Sequence, residues 1–186
     1  FALEDGAAAG QLEDVAARAL GWMEGMQDAR GGLPLLNDSA EGMARSPAEL
    51  RHYAARLGLE AIARPRASHS LNGWEGCDWS GYWVWRGVGG RMCLWFDTAL
   101  LGPDHLPGHA HGDMLSVLLE ADGVPILTDT GVFEYAEGAT RSYARSTAAH
   151  NTVSLDGLEQ AEMWKSFRMG RRGHPGWAGG RRRRRA

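Results

Sequence analysis

Tyr82-Trp83-Val84-Trp85-Arg86, then Gly89-Gly90, then Arg91-Met92-Cys93-Leu94-Trp95-Phe96-Asp97, reads as a β-hairpin. From Gly81 onward the pattern repeats every two residues, and paired glycines supply the turn between two aromatic runs. A second hairpin follows: residues 114–121, Asp122-Gly123 as its turn signal, then residues 124–128. Residues 151–155 read as one more strand, stopped by Asp156-Gly157. The second half of the chain is therefore expected to be antiparallel and β-rich, part of a sandwich. A two-residue turn at Asp122-Gly123 sets Asp129 opposite Ser116, not opposite His111. Five residues at about 3.3 Å each separate them, too far for a shared ligand. Residues 108–113 must then curl back off the strand end, which Gly108 and Gly112 permit.

Upstream of Gly81 the period is helical. Leu12, Val15, Ala16, Ala19, Leu20, Met23 and Met26 mark a helix over 7–27, ended by Gly25 and Arg30-Gly31-Gly32. A loop holding Pro34 and Asn37-Asp38 leads to Ser46-Pro47-Ala48-Glu49. That tetrapeptide is a helix start, with Ser46 as N-cap, Pro47 at the first position and Glu49 closing a capping box. Leu50, Tyr53, Ala54 and Leu57 continue the helix, and Gly58 stops it. Two amphipathic helices bury little alone, so they read as members of a larger helical assembly. The fold class is α+β: a helical segment over 1–62, a linker over 63–80, an antiparallel β-sandwich portion over 81–170, and a Gly/Arg-rich tail over 171–186. In the linker, Trp74, Cys77 and Trp79 are candidates for inter-domain packing or a sugar site.

Charge is distributed unevenly. The 186 residues carry a net −3, but residues 1–170 hold 13 basic against 23 acidic side chains, a net of −10. An acidic body argues against a nucleic-acid surface. The seven arginines of the tail have no periodic companion, so the tail is expected to be a disordered arm or a change of reading frame. Two cysteines, Cys77 and Cys93, make no disulfide framework. No apolar run approaches the ~20 residues a membrane span needs. The start at Phe1-Ala2-Leu3 lies in mid-pattern and reads as part of a longer protein.

Three polar islands beside apolar runs carry the candidate chemistry: residues 108–113, 128–131 and 147–152. Together they hold three of the seven histidines and two aspartates. His109 and His111 point the same way if extended. A third histidine and a carboxylate from the other islands complete a possible N/O metal site.

These islands, quoted as L-P-G-H-A-H-G-D-M-L-S, I-L-T-D-T-G and R-S-T-A-A-H-N-T-V-S-L-D-G, resemble the heparinase II/III-like family of polysaccharide lyases over roughly residues 80–172. L-P-L-L-N-D and S-P-A-E-L-R-H-Y-A-A-R-L-G resemble the end of that family's α/α toroid. The resemblance implies a β-elimination lyase acting on uronate-containing acidic polysaccharide. It implies an active-site role for His109 and a structural zinc ion held by His111, Asp129 and His150, with Asp113 and Asn151 orienting loops. Periplasmic or secreted location is expected for the parent protein from the substrate class. The toroid that should carry much of the groove lies mostly upstream of this chain.

Proton removal alpha to a carboxylate needs a base, an acid for the leaving oxygen, and donors for the developing charge. Tyr143 is a catalytic candidate, with Tyr135 a weaker substitute. Arg145 and Asn151 are candidates for substrate contact, Arg145 because its fork suits a carboxylate. Tyr143 and Arg145 share a face if their segment is extended. Two other readings start from the same letters. One is a zinc-stapled β-module that binds acidic sugar without cleaving it. The other is a metal-dependent hydrolase, but His109-x-His111-x-Asp113 is followed by Met114, where that signature needs a further histidine.

Overall fold

The computed structural model describes residues 6–59, 69–71, 74–77, 80–87, 89 and 91–175. Helix α1 spans Gly6–Met26 and α2 spans Pro47–Arg56. Strands β1 (His69–Leu71), β2 (Trp74–Cys77), β3 (Tyr82–Arg86), β4 (Met92–Asp97), β5 (Val117–Ala121) and β6 (Val124–Leu127) form one antiparallel sheet in sequential order. Helix α3 (Ala139–Arg145) and a 3-10 turn (Thr147–Ala149) follow, then a separate two-stranded sheet of β7 (Ala161–Trp164) and β8 (Arg168–Arg172). The chain is thus α+β, helices first and antiparallel sheets after.

The core lies where the end of α1 meets the centre of the sheet. Val84, Trp95 and Leu118 are register partners across β3, β4 and β5, all on one face. They pack with Met26 and Cys93, flanked by Trp22, Leu36 and Tyr82. Helix ends leave carbonyls without intrahelical donors, and here sheet side chains supply them. Arg86 donates to the Gly25 and Gln27 carbonyls at 2.8 and 2.9 Å, and Trp95 Nε1 to the Met26 carbonyl at 3.0 Å. Along the same face, one further row ends in a buried carboxylate, Asp97, beside Ser116. This acidic end of the sheet is where the polar islands collect.

Several expectations are corrected. The stretch read as a linker contributes β1 and β2, strands of three and four residues, too short to show an alternation. Residues 60–68, and the side chains of Trp74, Cys77 and Trp79, lie outside the described residues. The capping box of Ser46 and Glu49 is present, and Leu50, Tyr53 and Leu57 of α2 are exposed, as are Leu12 and Val15 of α1, in keeping with helices that bury little alone. Only the C-terminal half of α1 is buried against the sheet. Residues 151–155 are not a strand: Leu155 makes one isolated bridge with Leu158. In place of a ladder the segment keeps one backbone bond, from the Val117 amide to the Asn151 carbonyl at 3.0 Å, with side-chain bonds from Asn151 and Thr152. Arg171 and Arg172, assigned to the tail, belong to β8, while residues 176–186 lie outside the described residues.

Candidate active site

The loop after α1 makes the site. Asn37 takes a positive φ of 52°, which turns both its own side chain and that of Asp38 toward residues 109–111. Asn37 Oδ1 accepts from the His111 backbone at 3.1 Å. Asp38 Oδ2 lies 2.7 Å from His109 Nδ1, and Oδ1 lies 2.8 Å from His111 Nε2. Arg141 of α3 closes the group, donating through Nη1 to Oδ1 and through Nη2 to Oδ2 at 2.9 Å. Its guanidinium also donates from Nε to the Ser166 carbonyl at 3.0 Å and sits over the rings of Tyr135 and Phe167 at 5.2 and 5.3 Å. Burial pushes the Asp38 carboxyl up, but hydrogen bonds from His111, Arg141 and His109 and the Arg141 charge outweigh it. The carboxyl is held well below the usual carboxylate range.

His109 and His111 differ in surroundings. The His109 side chain is 63% exposed, edge-on to Tyr135 and Phe167. It lines an open cavity of about 590 Å³ with Lys165, Phe167, Arg168 and Glu137. His111 is fully buried, and burial pushes its imidazole toward the neutral form against the pull of Asp38.

Residues 108–113 do curl back off the strand end. Gly112 donates to the Arg145 carbonyl at 2.8 Å, and a Cβ there would meet Thr147 Oγ1 at 2.7 Å. The turn brings His111 beside His150, ring centroids 5.4 Å apart, and His150 Nδ1 lies 2.6 Å from Asp129 Oδ2. Burial disfavours the charged form of His150. The Asp129 hydrogen bond and charge, with Asp113 adding, reverse this and raise its pKa. Burial lifts Asp113 to about 6 with help from the Asp129 charge, against the opposing effect of His150. His111 Nδ1, His150 Nε2 and Asp113 Oδ2 are buried without a hydrogen-bond partner. The three expected metal ligands therefore gather, although among the described residues no three donors are set at coordinating positions.

Two other candidates, Tyr143 and Arg145, are placed differently from expectation. Residues 139–145 are helical, so Tyr143 and Arg145 do not share a face: Tyr143 is 56% exposed and Arg145 1%. Arg145 spends its donors on carbonyls, two bonds to Ala110 and one each to Lys165 and Arg168. Meeting a uronate would require giving these up. Asn151 Nδ2 donates to the Thr128 carbonyl at 2.8 Å, tying the His150 loop to the Asp129 segment. Tyr135 is the tyrosine beside His109. Sequence reading missed Asp38 and Arg141 as site residues. The only local signal was an Asn-Asp pair in a loop, since both act across distances that leave no periodic trace.

The family described as heparinase II/III-like, C-terminal, matches residues 74–185. Among solved structures, a heparinase III gene product with methylated lysines is 18% identical with a TM-score of 0.54, covering 77% of this chain and 24% of that one. A further crystal structure of heparinase III is 16% identical with a TM-score of 0.52, covering 82% and 28%. At such identities the likeness is one of fold, and this chain spans about a quarter of the length of those structures. No curated protein matches.

Proposed function

Since the chain belongs, through its C-terminal region, to the heparinase II/III-like family of polysaccharide lyases, we propose that the protein cleaves a uronate-containing acidic polysaccharide by β-elimination, with His109 handling the proton. In this reaction a base takes the proton alpha to the uronate carboxylate. The electron pair forms a C4–C5 double bond, the glycosidic oxygen leaves, and an acid supplies its proton. The observation that carries the reading is the position of His109. It is anchored at Nδ1 by a buried carboxylate and exposed to an open cavity that Lys165 and Arg168 also line. Two cations beside a proton-transfer group suit a carboxylate whose charge grows during proton removal. Tyr135, 6.0 Å from His109 between ring centroids, replaces Tyr143 as the phenol of choice. The substrate class implies export to the periplasm or cell exterior.

The residues also suit a structural zinc ion at His111, Asp129 and His150. Two buried imidazole nitrogens without partners, beside the carboxylates of Asp113 and Asp129, are the hard-to-bury donor types that zinc accepts. Asp129 now occupies His150 Nδ1 and the Gly131 amide, so it would exchange a hydrogen bond for coordination. When bound, the ion would cross-link the three islands and neutralise their carboxylates. Asp38 on the far nitrogen of His111 would fix that ring from behind.

The experiment is an ultraviolet assay of uronate polysaccharides for the unsaturated product. Product formation that falls by roughly 10²-fold or more in His109→Ala, the range of a lost acid–base group, supports the reading. Sugar binding without product would replace it with the binding-module reading.

A further inference from the structure

Resting on that reading of His109, we propose that Asp38 is the positioning residue of the site: its carboxylate fixes His109 as the Nδ1–H tautomer and leaves Nε2 bare to take or give a proton. An ionised carboxylate only accepts hydrogen bonds. Four donors converge on Asp38: both Arg141 amino groups, His111 Nε2 and His109 Nδ1. Each ring nitrogen facing it must therefore carry a proton. For His109 this is the reverse of the Nε2–H form that free neutral histidine prefers in water.

The carboxylate is held where it is needed. Its side chain is 5% exposed against 63% for His109, so the buried partner directs the accessible one. Arg141 is itself fixed by the Ser166 carbonyl and by lying over the rings of both Tyr135 and Phe167. Asn37 pins the adjoining backbone to His111. A helix-side loop thus sets the proton address of a sheet-side histidine.

The test is long-range proton–nitrogen NMR on the whole chain carrying 15N-labelled histidine, at mildly alkaline pH where imidazole is neutral. The expected wild-type spectrum shows His109 mainly as Nδ1–H, and Asp38→Ala shifts it to mainly Nε2–H. An Nε2–H majority in the wild type, or an unchanged tautomer in Asp38→Ala, overturns the proposal. The wild-type spectrum decides even if the variant does not fold. No substrate enters this measurement, so a lyase assay without product would defeat the functional reading alone and leave the tautomer result standing on its own.

Discussion

Arg145 carries its charge to a point where 1% of its surface meets water, and carbonyls replace the solvent it loses. Burial, then the nearby Arg141 charge, lower its pKa. Truncation would take the donor from the carbonyls of Ala110, Lys165 and Arg168, the first of these in a fully buried bond. Arg145→Met should cost on the order of 1–3 kcal/mol, chiefly from the Ala110 carbonyl left buried without a donor, read as a lower urea midpoint. Arg145→Lys should recover little, because one ammonium cannot reach three carbonyls from one place. Asp97 is the opposite case, a buried carboxyl that prefers its proton. Burial, then the Asp113 charge, push it up to about 8 from 3.8. The folded state then binds this proton more tightly than the unfolded chain. Its stabilising effect is full below about pH 4 and lost as pH rises through about 8. In chelator-treated protein the thermal midpoint should fall across that window, and Asp97→Asn should flatten the decline; a level wild-type profile would refute the assignment. At this scale the sequence was half legible. His111, Asp129 and His150 stood out because each sits in a polar island between apolar runs. Asp38 and Arg141 did not, since a contact across 103 positions has no local signature.

Elements were read best where period and turn chemistry agreed. The β3–β4 alternation, the Asp122-Gly123 turn and the Ser46 cap all appear as expected, each being a signal contained within about ten residues. Helix α3 was missed because its seven residues are too few to show an amphipathic stripe. Strand β6 was found, and all four of its residues are exposed on an edge of the sheet. Loops proved as exacting as strands. Gly131 has a φ of 56°, and a Cβ there would stand 2.3 Å from the Ser39 carbonyl oxygen. The Val132 amide donates to that same oxygen at 2.9 Å. Gly131→Ala should therefore part the Asp38 loop from the Asp129 segment. A loss of about 1–3 kcal/mol is expected from backbone strain, with amide exchange rising in both loops. Unchanged protection at residues 36–39 and 129–132 would show the two loops to be independent.

For the molecule as a whole, the acidic end of the sheet is the place where stability and metal should meet. Asp97, Asp113 and Asp129 are all buried there with two histidines. A bound dication would relieve their mutual repulsion. About one zinc per folded chain is expected, lost in His111→Ala and in His150→Ala, with a lower thermal midpoint after chelation. Elemental analysis together with calorimetry checks both, and a chelator without effect on either would remove the ion from the account. With a net of −10 over residues 1–170, a substrate of the proposed class would meet positive charge in local features such as Lys165 and Arg168, which line the His109 cavity together with Glu137.

The bond from Asp38 to His109 spans 71 positions, and just ahead of Asp38 the end of α1 is capped by side chains of β3 and β4. A recombination breakpoint anywhere between those two codons would join one ancestor's carboxylate to another's imidazole. A breakpoint ahead of Arg86 would also separate helix carbonyls from the arginine and tryptophan that serve them. The helical and sheet portions are therefore poor cassettes for exchange, and a gene carrying one is bound to inherit the other with it.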